Sequence, residues 1–556
     1  MFHTLVNFYR PQTRDVLLKE RKFIGITRYY HFDIGYITMA PDGVTKNMIV
    51  VNGQFPGPTI EANWGDWIEV EVQNNLDEGT AFHWHGLFQQ QTPWADGVPG
   101  VSQCPIAPGQ KLTYRFQANG YGTSWYHSHY SAQYSMGPFG PIVIHGPQSS
   151  NKYDTDLGPV LLADWYHKDY HDLVKSVIGT DPATVIGTTV SDNILINGKN
   201  SFNCSLALVG QKCSPNAPLS EFNFNTGKTH LLRIVNGGSD GTLYFSIDDH
   251  ELEVIALDFV PLTPYTTTVI ALGVGQRMDV LVKGTGKSTA SYYMRARNSQ
   301  GPGCDQSFAP PPANFALGIV RYQNAHSGQL PDSTASSFID TCADAPITLG
   351  RPYRSQPVVT EDVHTVNIDI VAAANASGTL LWFENNSTFF TNFNDPVLRD
   401  VAAGQKSFPS KYNVYDTGNA KNVRFVIVNN SPAMHPIHMH GHTYQVLANV
   451  PNITWDGQIT NPSNPLRRDT QIVGPNSTIV LQIESTNAGV WPIHCHIAWH
   501  VSAGLFVQFI EQRDSIKNLH PGNQIDGNCQ AWDNWSKTHT VFQIDSGLRR
   551  MMVRSG

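Results

Sequence analysis

Three imidazoles and one thiol fall within the seven residues His494-Cys495-His496-Ile497-Ala498-Trp499-His500. Side chains alternate between the two faces of an extended strand, so His494 and His496 point one way and Cys495 the other. One tripeptide can therefore serve two separate metal sites. Cys495 and His500 offer a thiolate and an imidazole across a short loop, a soft donor set that suits copper. A blue-copper centre takes one Cys and two His, so a second His must come from elsewhere. The segment His435-Pro436-Ile437-His438-Met439-His440-Gly441 can supply it, and two further pairs, His83-Trp84-His85-Gly86 and His127-Ser128-His129, stand far upstream. A lone His-x-His pair is more often a strand coincidence or part of a zinc site. Four clusters in two widely separated parts of the chain, holding ten histidines and one cysteine, leave no room for coincidence.

In this order the four segments resemble the copper-binding signatures of the multicopper oxidases, most closely those of ascomycete laccases, over nearly the whole chain after about residue 24. The resemblance implies four copper ions: a type 1 ion on His435, Cys495 and His500, a type 2 ion on His83 and His438, and a type 3 pair on His85, His127, His129, His440, His494 and His496. It implies that phenolic or aromatic amine donors give up single electrons at the type 1 site. Those electrons cross Cys495 into His494 and His496, and four of them reduce dioxygen to water. A metallo-oxidase (ferroxidase) or a pigment-synthesis polyphenol oxidase of the same family is the alternative. An electron-transfer cupredoxin without turnover needs only the type 1 set and does not explain the other histidines.

Leu505 stands at the axial position, where it cannot donate to copper. Withholding a sulfur donor removes stabilisation of the oxidised ion and raises the potential. Two carboxylates, Asp96 and Asp240, each read alone as turn residues. By the resemblance, Asp96 matches an acid near the trinuclear centre that protonates reduced oxygen, and Asp240 matches the pocket carboxylate that takes the phenolic proton. Ala498 occupies a place where some relatives carry an acid.

The elements that must position these residues are strands. Arg28 to Ile34 and Trp67 to Val72 alternate in polarity between Gly, Pro and Asn turns, the pattern of a sandwich or barrel. An internal repeat links the two ends of the chain. Asn74-Asn75 precedes His83 by the interval at which Asn429-Asn430 precedes His438, and His127 with Gly137 matches His494 with Gly504. In the first copy Ser128 replaces Cys495 and Gln133 replaces His500, so no type 1 site is expected there. The expected fold is all-β: three cupredoxin-like Greek-key domains over 24–147, 148–343 and 344–548, with an anomalous segment 1–23 and a possible C-terminal propeptide 549–556. Trinuclear ligands come from the first and third domains, so copper should clamp the two together. The second, without copper, should form one wall of the substrate pocket. The Pro-rich loop 309–313 and the stretch 327–337 read as turns or linkers.

Composition narrows the function further. A net charge of -8 with 15% charged residues and no basic patch speaks against nucleic acid, and there is no membrane-spanning run. A monomer is expected. Of seven cysteines, six remain once Cys495 is set aside. Close spacing pairs Cys204 with Cys213 and Cys304 with Cys342, which leaves Cys104 with Cys529, a pairing that also resembles the family. Disulfides and the sequons at Asn203, Asn375, Asn385, Asn429, Asn452, Asn476 and Asn534 fit a secreted glycoprotein. Met1 to Lys22, charged and without an apolar core of signal length, does not. The preferred reading places the true leader upstream of this start; the alternative is an intracellular protein with reduced cysteines. At the other end Asp545-Ser546-Gly547-Leu548 resembles a laccase processing site, with cleavage after Leu548 and the new terminus acting as a plug toward the trinuclear site.

Overall fold

The computed structural model describes residues 25–147, 152–179, 190–304, 314–521, 524–546 and 548. The anomalous N-terminal segment, the Pro-rich loop 309–313 and the tail after Leu548 lie outside the described residues.

Alternation in the sequence becomes burial in the fold. In strand Trp67–Asn74, Ile68, Val70 and Val72 are fully buried while Trp67, Glu69 and Glu71 lie half-buried on the other face. Strand Asn422–Asn429 repeats the same pattern with Val423, Phe425 and Ile427 inward. Among the described residues the strands form six sheets, two in each of three sandwiches. The first pairs a sheet ordered Lys46–Val51, Thr27–Met39, Trp67–Asn74, Lys111–Gln117 with one ordered Ile60–Asn63, Phe139–His145, Gly122–Ser128, Phe82–Trp84. The second and third each set a six-stranded sheet on a five-stranded one. The all-β expectation of three successive cupredoxin-like sandwiches holds.

Register places the histidines. Strand Phe82–Trp84 runs antiparallel to Gly122–Ser128 with His83 opposite His127. Strand His435–Met439 runs antiparallel to Gly489–Cys495 with His438 opposite His494 and Ile437 opposite Cys495. Strands Phe82–Trp84 and His435–Met439 each follow a buried asparagine that ties down the loop before it. The Asn74 amide donates to the carbonyls of Glu78 and Ile106, both at 2.8 Å, and that of Asn429 to Ala433 at 2.7 Å and Gly474 at 2.8 Å. Asn429 is thus a fastener with no exposure, and its sequon is not a glycan acceptor in the folded chain.

The same device recurs in the second sandwich, where the Asn236 amide donates to Gly241 and Leu272 at 2.8 and 2.9 Å. Nine and eleven residues beyond it, at the intervals of His438 and His440 from Asn429, stand Phe245 and Ile247, both fully buried. Apolar side chains fill the places where the outer sandwiches carry imidazoles. In the first sandwich the positions equivalent to His435, Cys495 and His500 are also filled, by a polar triad. Thr80, which follows Asn74 by the six residues separating His435 from Asn429, and Ser128 both donate to Gln133 Oε1 at 2.7 Å.

Disulfides form between Cys204 and Cys213 and between Cys304 and Cys342, as their spacing predicts, and between Cys104 and Cys529, the pair left over and the one the resemblance implies. The Cys104–Cys529 bond ties the opening sandwich to helix Gln524–Ser536 across 425 residues. No helix among the described residues is long and apolar enough to cross a membrane.

Candidate metal centre

Eight imidazoles from the first and third sandwiches converge in one buried cluster. Their ring nitrogens fall into three groups, each within 4.8 Å: His83, His85 and His438; His85, His127 and His496; and His129, His440 and His494. Most are held from behind by a protein acceptor. His83 Nδ1 donates to the Asp96 carbonyl at 2.8 Å, His127 Nδ1 to Ser128 at 2.9 Å, His438 Nδ1 to Asp469 at 2.9 Å and His494 Nδ1 to Cys495 at 2.7 Å. Carboxylates do the same for His440, through Asp96 Oδ2 at 2.9 Å, and for His85, through Asp469 Oδ1 at 3.2 Å. An acceptor behind one ring nitrogen fixes the proton there and leaves the other as a bare lone pair.

Among the described residues those lone pairs have no hydrogen-bonding counterpart. The inward nitrogens of His83, His127 and His438 are buried and make no hydrogen bond, and His496 Nε2 faces His85 Nδ1 at 3.3 Å. His440 Nε2 and His494 Nε2 face each other at 3.0 Å although both rings carry their proton on Nδ1. Such an arrangement is repulsive unless a cation lies within reach of both. Burial, and then the neighbouring imidazoles, hold His85, His127, His129, His438, His440 and His496 well below the ordinary histidine range. Burial brings His494 down to about 4. These seven rings are therefore neutral at pH 7 and available as ligands. The residues present fit a cluster of metal ions.

Cys495 points to the opposite face of its strand, as alternation requires, and meets His435 and His500. Its Sγ lies 3.5 Å from His500 Nδ1, and His435 Nδ1 and His500 Nδ1 are 3.1 Å apart. Burial pushes the thiol well above its usual range and brings His500 down to about 3. A thiol so placed ionises when a cation sits beside it, so this donor set also fits a metal. The Ile497 N–H donates to Sγ at 3.4 Å, and Leu505 is buried next to the strand, its carbonyl accepting from Cys495 N. Trp382, not singled out by sequence, covers the pair with ring centroids 4.6 Å from His435 and 4.7 Å from His500. His500 is the partly exposed member of the three.

Sequence reasoning also missed the support behind the cluster. The buried Arg277 of the second sandwich donates to both oxygens of Asp469, at 2.6 and 2.7 Å, while Arg468 donates to Asp258 at 3.1 Å. Asp258 accepts in addition from the backbone of Arg277 and Asp469. Two arginines outweigh the effect of burial and hold Asp258 below the usual carboxylate range. The signal was present as Arg467-Arg468-Asp469, three adjacent charges between the apolar Leu466 and Ile472-Val473. Gly275 of the same sandwich packs on the cluster itself, where a Cβ would come within 2.7 Å of His496 and 3.0 Å of His85.

Models of the multicopper oxidase family match residues 33–149, 156–325 and 383–515. The chain is a multicopper oxidase. Laccase-2 of Botryotinia fuckeliana is 36% identical over 536 residues, covering 94% of this chain and 89% of the relative. Oxidoreductase OpS5 of Beauveria bassiana is 38% identical over 548 residues, with 94% and 88% covered. Among solved structures the laccase of Botrytis aclada matches with a TM-score of 0.86 and 35% identity over 94% of this chain and 95% of that one.

In this multicopper oxidase a cavity of about 420 Å³ opens onto His129 and is lined by Ser131, Phe389, Phe506 and Asp545. The C-terminal segment is fastened there: Ser131 Oγ donates to Asp545 Oδ2 at 2.8 Å and accepts from Gln543 Nε2 at 2.6 Å. Because the cluster is shared between sandwiches and its lone pairs repel, stripping the copper should lower the melting temperature by about 5 °C or more. Calorimetry before chelation, after it and after copper return checks this; an unchanged melting temperature would show that the clamp carries no stability.

Proposed function

We propose that this multicopper oxidase works as a laccase, oxidising phenolic or aromatic amine donors one electron at a time and reducing dioxygen to water. We assign His435, Cys495 and His500 to type 1 copper with Leu505 as the non-ligating axial residue, His83 and His438 to type 2, and His85, His127, His129, His440, His494 and His496 to the type 3 pair. Copper in these places supplies one-electron redox chemistry at the exposed site and dioxygen reduction at the buried one. A single observation carries the reading: Cys495 belongs to the outer site while its covalent neighbours His494 and His496 belong to the inner one. The three disulfides support a secreted enzyme.

Two carboxylates have distinct work. Asp96 is fully buried and touches both His83 and His440, which suits it to hold a proton beside the inner cluster. Asp240 lies on the loop between the two ligand-bearing segments of the outer site. A phenol that loses an electron must also lose its proton, and the Asp240 carboxylate takes it. Burial, and then the charge of Asp164, push Asp240 well above the usual carboxylate range. The group accepts a proton only when ionised, so phenol oxidation should climb as pH rises through this raised pKa.

Oxygen uptake tests the whole reading. The copper-loaded protein should consume one dioxygen per four electrons taken from a simple phenol; faster uptake on ferrous iron than on any phenol would overturn it in favour of a metallo-oxidase. Asp240→Asn should cost about tenfold or more in phenol kcat/KM and flatten the rising pH limb. A limb that persists in that variant belongs to another group.

A further inference from the structure

The loop that carries Asp240 is gripped from three sides. The carboxylate of Asp164, at the end of strand Thr155–Trp165, accepts from three successive backbone amides: Ser239 at Oδ1, 2.6 Å, and Asp240 and Gly241 at Oδ2, both 2.8 Å. The Ser239 carbonyl accepts from Ala498 N at 2.8 Å, on the turn that presents His500. Thr242 Oγ1 lies 3.9 Å from the sulfur of Met434, the residue before His435. The loop thus rests on both segments that supply the outer imidazoles. Asp164 reaches the His500 turn by a second route as well: Tyr166 OH is 3.4 Å from its Oδ2 and accepts from Trp499 Nε1 at 3.2 Å.

We propose that Asp164 is the positioning residue of the donor site, fixing the Asp240 loop against the His435–Cys495–His500 edge by its three amide contacts. Three donors need a full carboxylate, because an amide would turn an N–H toward at least one of them. Asp164 exchanges nothing itself. The donor's electron leaves through the outer site, its proton goes to Asp240, and a neutral phenoxyl radical departs. The proposal rests on the reading that Asp240 takes that proton.

The test compares two donors, a simple phenol and a fully N-methylated phenylenediamine, which gives an electron without giving up a proton. Two variants disturb the grip independently. Asp164→Asn removes the charge and one acceptor. Gly238→Ala keeps both but drives a Cβ to 2.8 Å from Asp164 Oδ1, at a glycine whose backbone φ is not positive. Each should lower the phenol-to-amine ratio of kcat/KM by about tenfold or more, as Asp240→Asn does, with the loss in kcat and with copper content and the blue absorption at wild-type level. If Asp164→Asn does not accumulate as folded protein, Gly238→Ala decides. Equal losses on both donors, or no loss, while Asp240→Asn remains selective would reduce Asp164 to a structural residue. A non-selective Asp240→Asn would instead overturn the reading of Asp240.

Discussion

Cys495→Ser should abolish the blue colour and lower phenol-dependent oxygen uptake by more than about 10³-fold, a loss of roughly 4 kcal/mol of barrier stabilisation. Serine keeps the size of the side chain and the strand but offers a hydroxyl where the site needs a soft thiolate. The inner cluster should survive, because Cys495 serves it only through its backbone. His494 is anchored on the Cys495 carbonyl at 2.7 Å, and the 495 N–H pairs with Leu505 O, both independent of the side chain. Copper analysis should therefore show the loss of one ion per chain, with the remaining ions still reacting with oxygen once reduced chemically. Phenol oxidation at an undiminished rate would mean that electrons enter elsewhere, and the assignment of the outer site would fall with it.

This split between the two faces of one tripeptide was legible in the sequence, since alternation along a strand is a local property. So was the convergence of the His83 and His438 segments, because the repeat of Asn74 and Asn429 marks them as equivalent. The second sandwich was harder. It carries the same asparagine, Asn236, but Phe245 and Ile247 stand at the ligand intervals, and a motif defined by histidines does not find its own apolar counterpart. Arg277, Asp258, Asp469 and Asp164 were missed for another reason. Each acts through partners up to 384 residues away in the chain, and no spacing rule connects them. Charges in apolar strands hint that a buried partner exists without saying which. Asn429 erred in the other direction, a sequon by sequence and a buried fastener in the fold.

The second large effect belongs to Arg277. Arg277→Met should cost about 3–5 kcal/mol of stability, because it leaves Asp469 uncompensated in a site with no solvent access. The guanidinium also donates to the carbonyls of Thr123 at 3.2 Å and Gly275 at 3.2 Å, so one side chain of the second sandwich stitches the first and third together. Arg277→Lys should recover little, since an ammonium cannot span both oxygens of Asp469 while reaching those carbonyls. The consequence for the inner site follows from what Asp469 holds. Its carboxylate fixes His85 and its carbonyl fixes His438, so loosening it frees two imidazoles of the cluster. Copper at the inner site should be lost to a chelator faster, while the blue absorption of the Cys495 site, which shares none of these contacts, persists. Arg277→Met combined with Asp469→Leu separates the two effects. Removing both charges should restore part of the stability, since a buried ion pair replaced by apolar groups is often neutral, yet copper retention should stay low because His85 has lost its acceptor. Wild-type stability and copper retention in Arg277→Met alone would show that the second sandwich is a spacer and not a support of the metal centre.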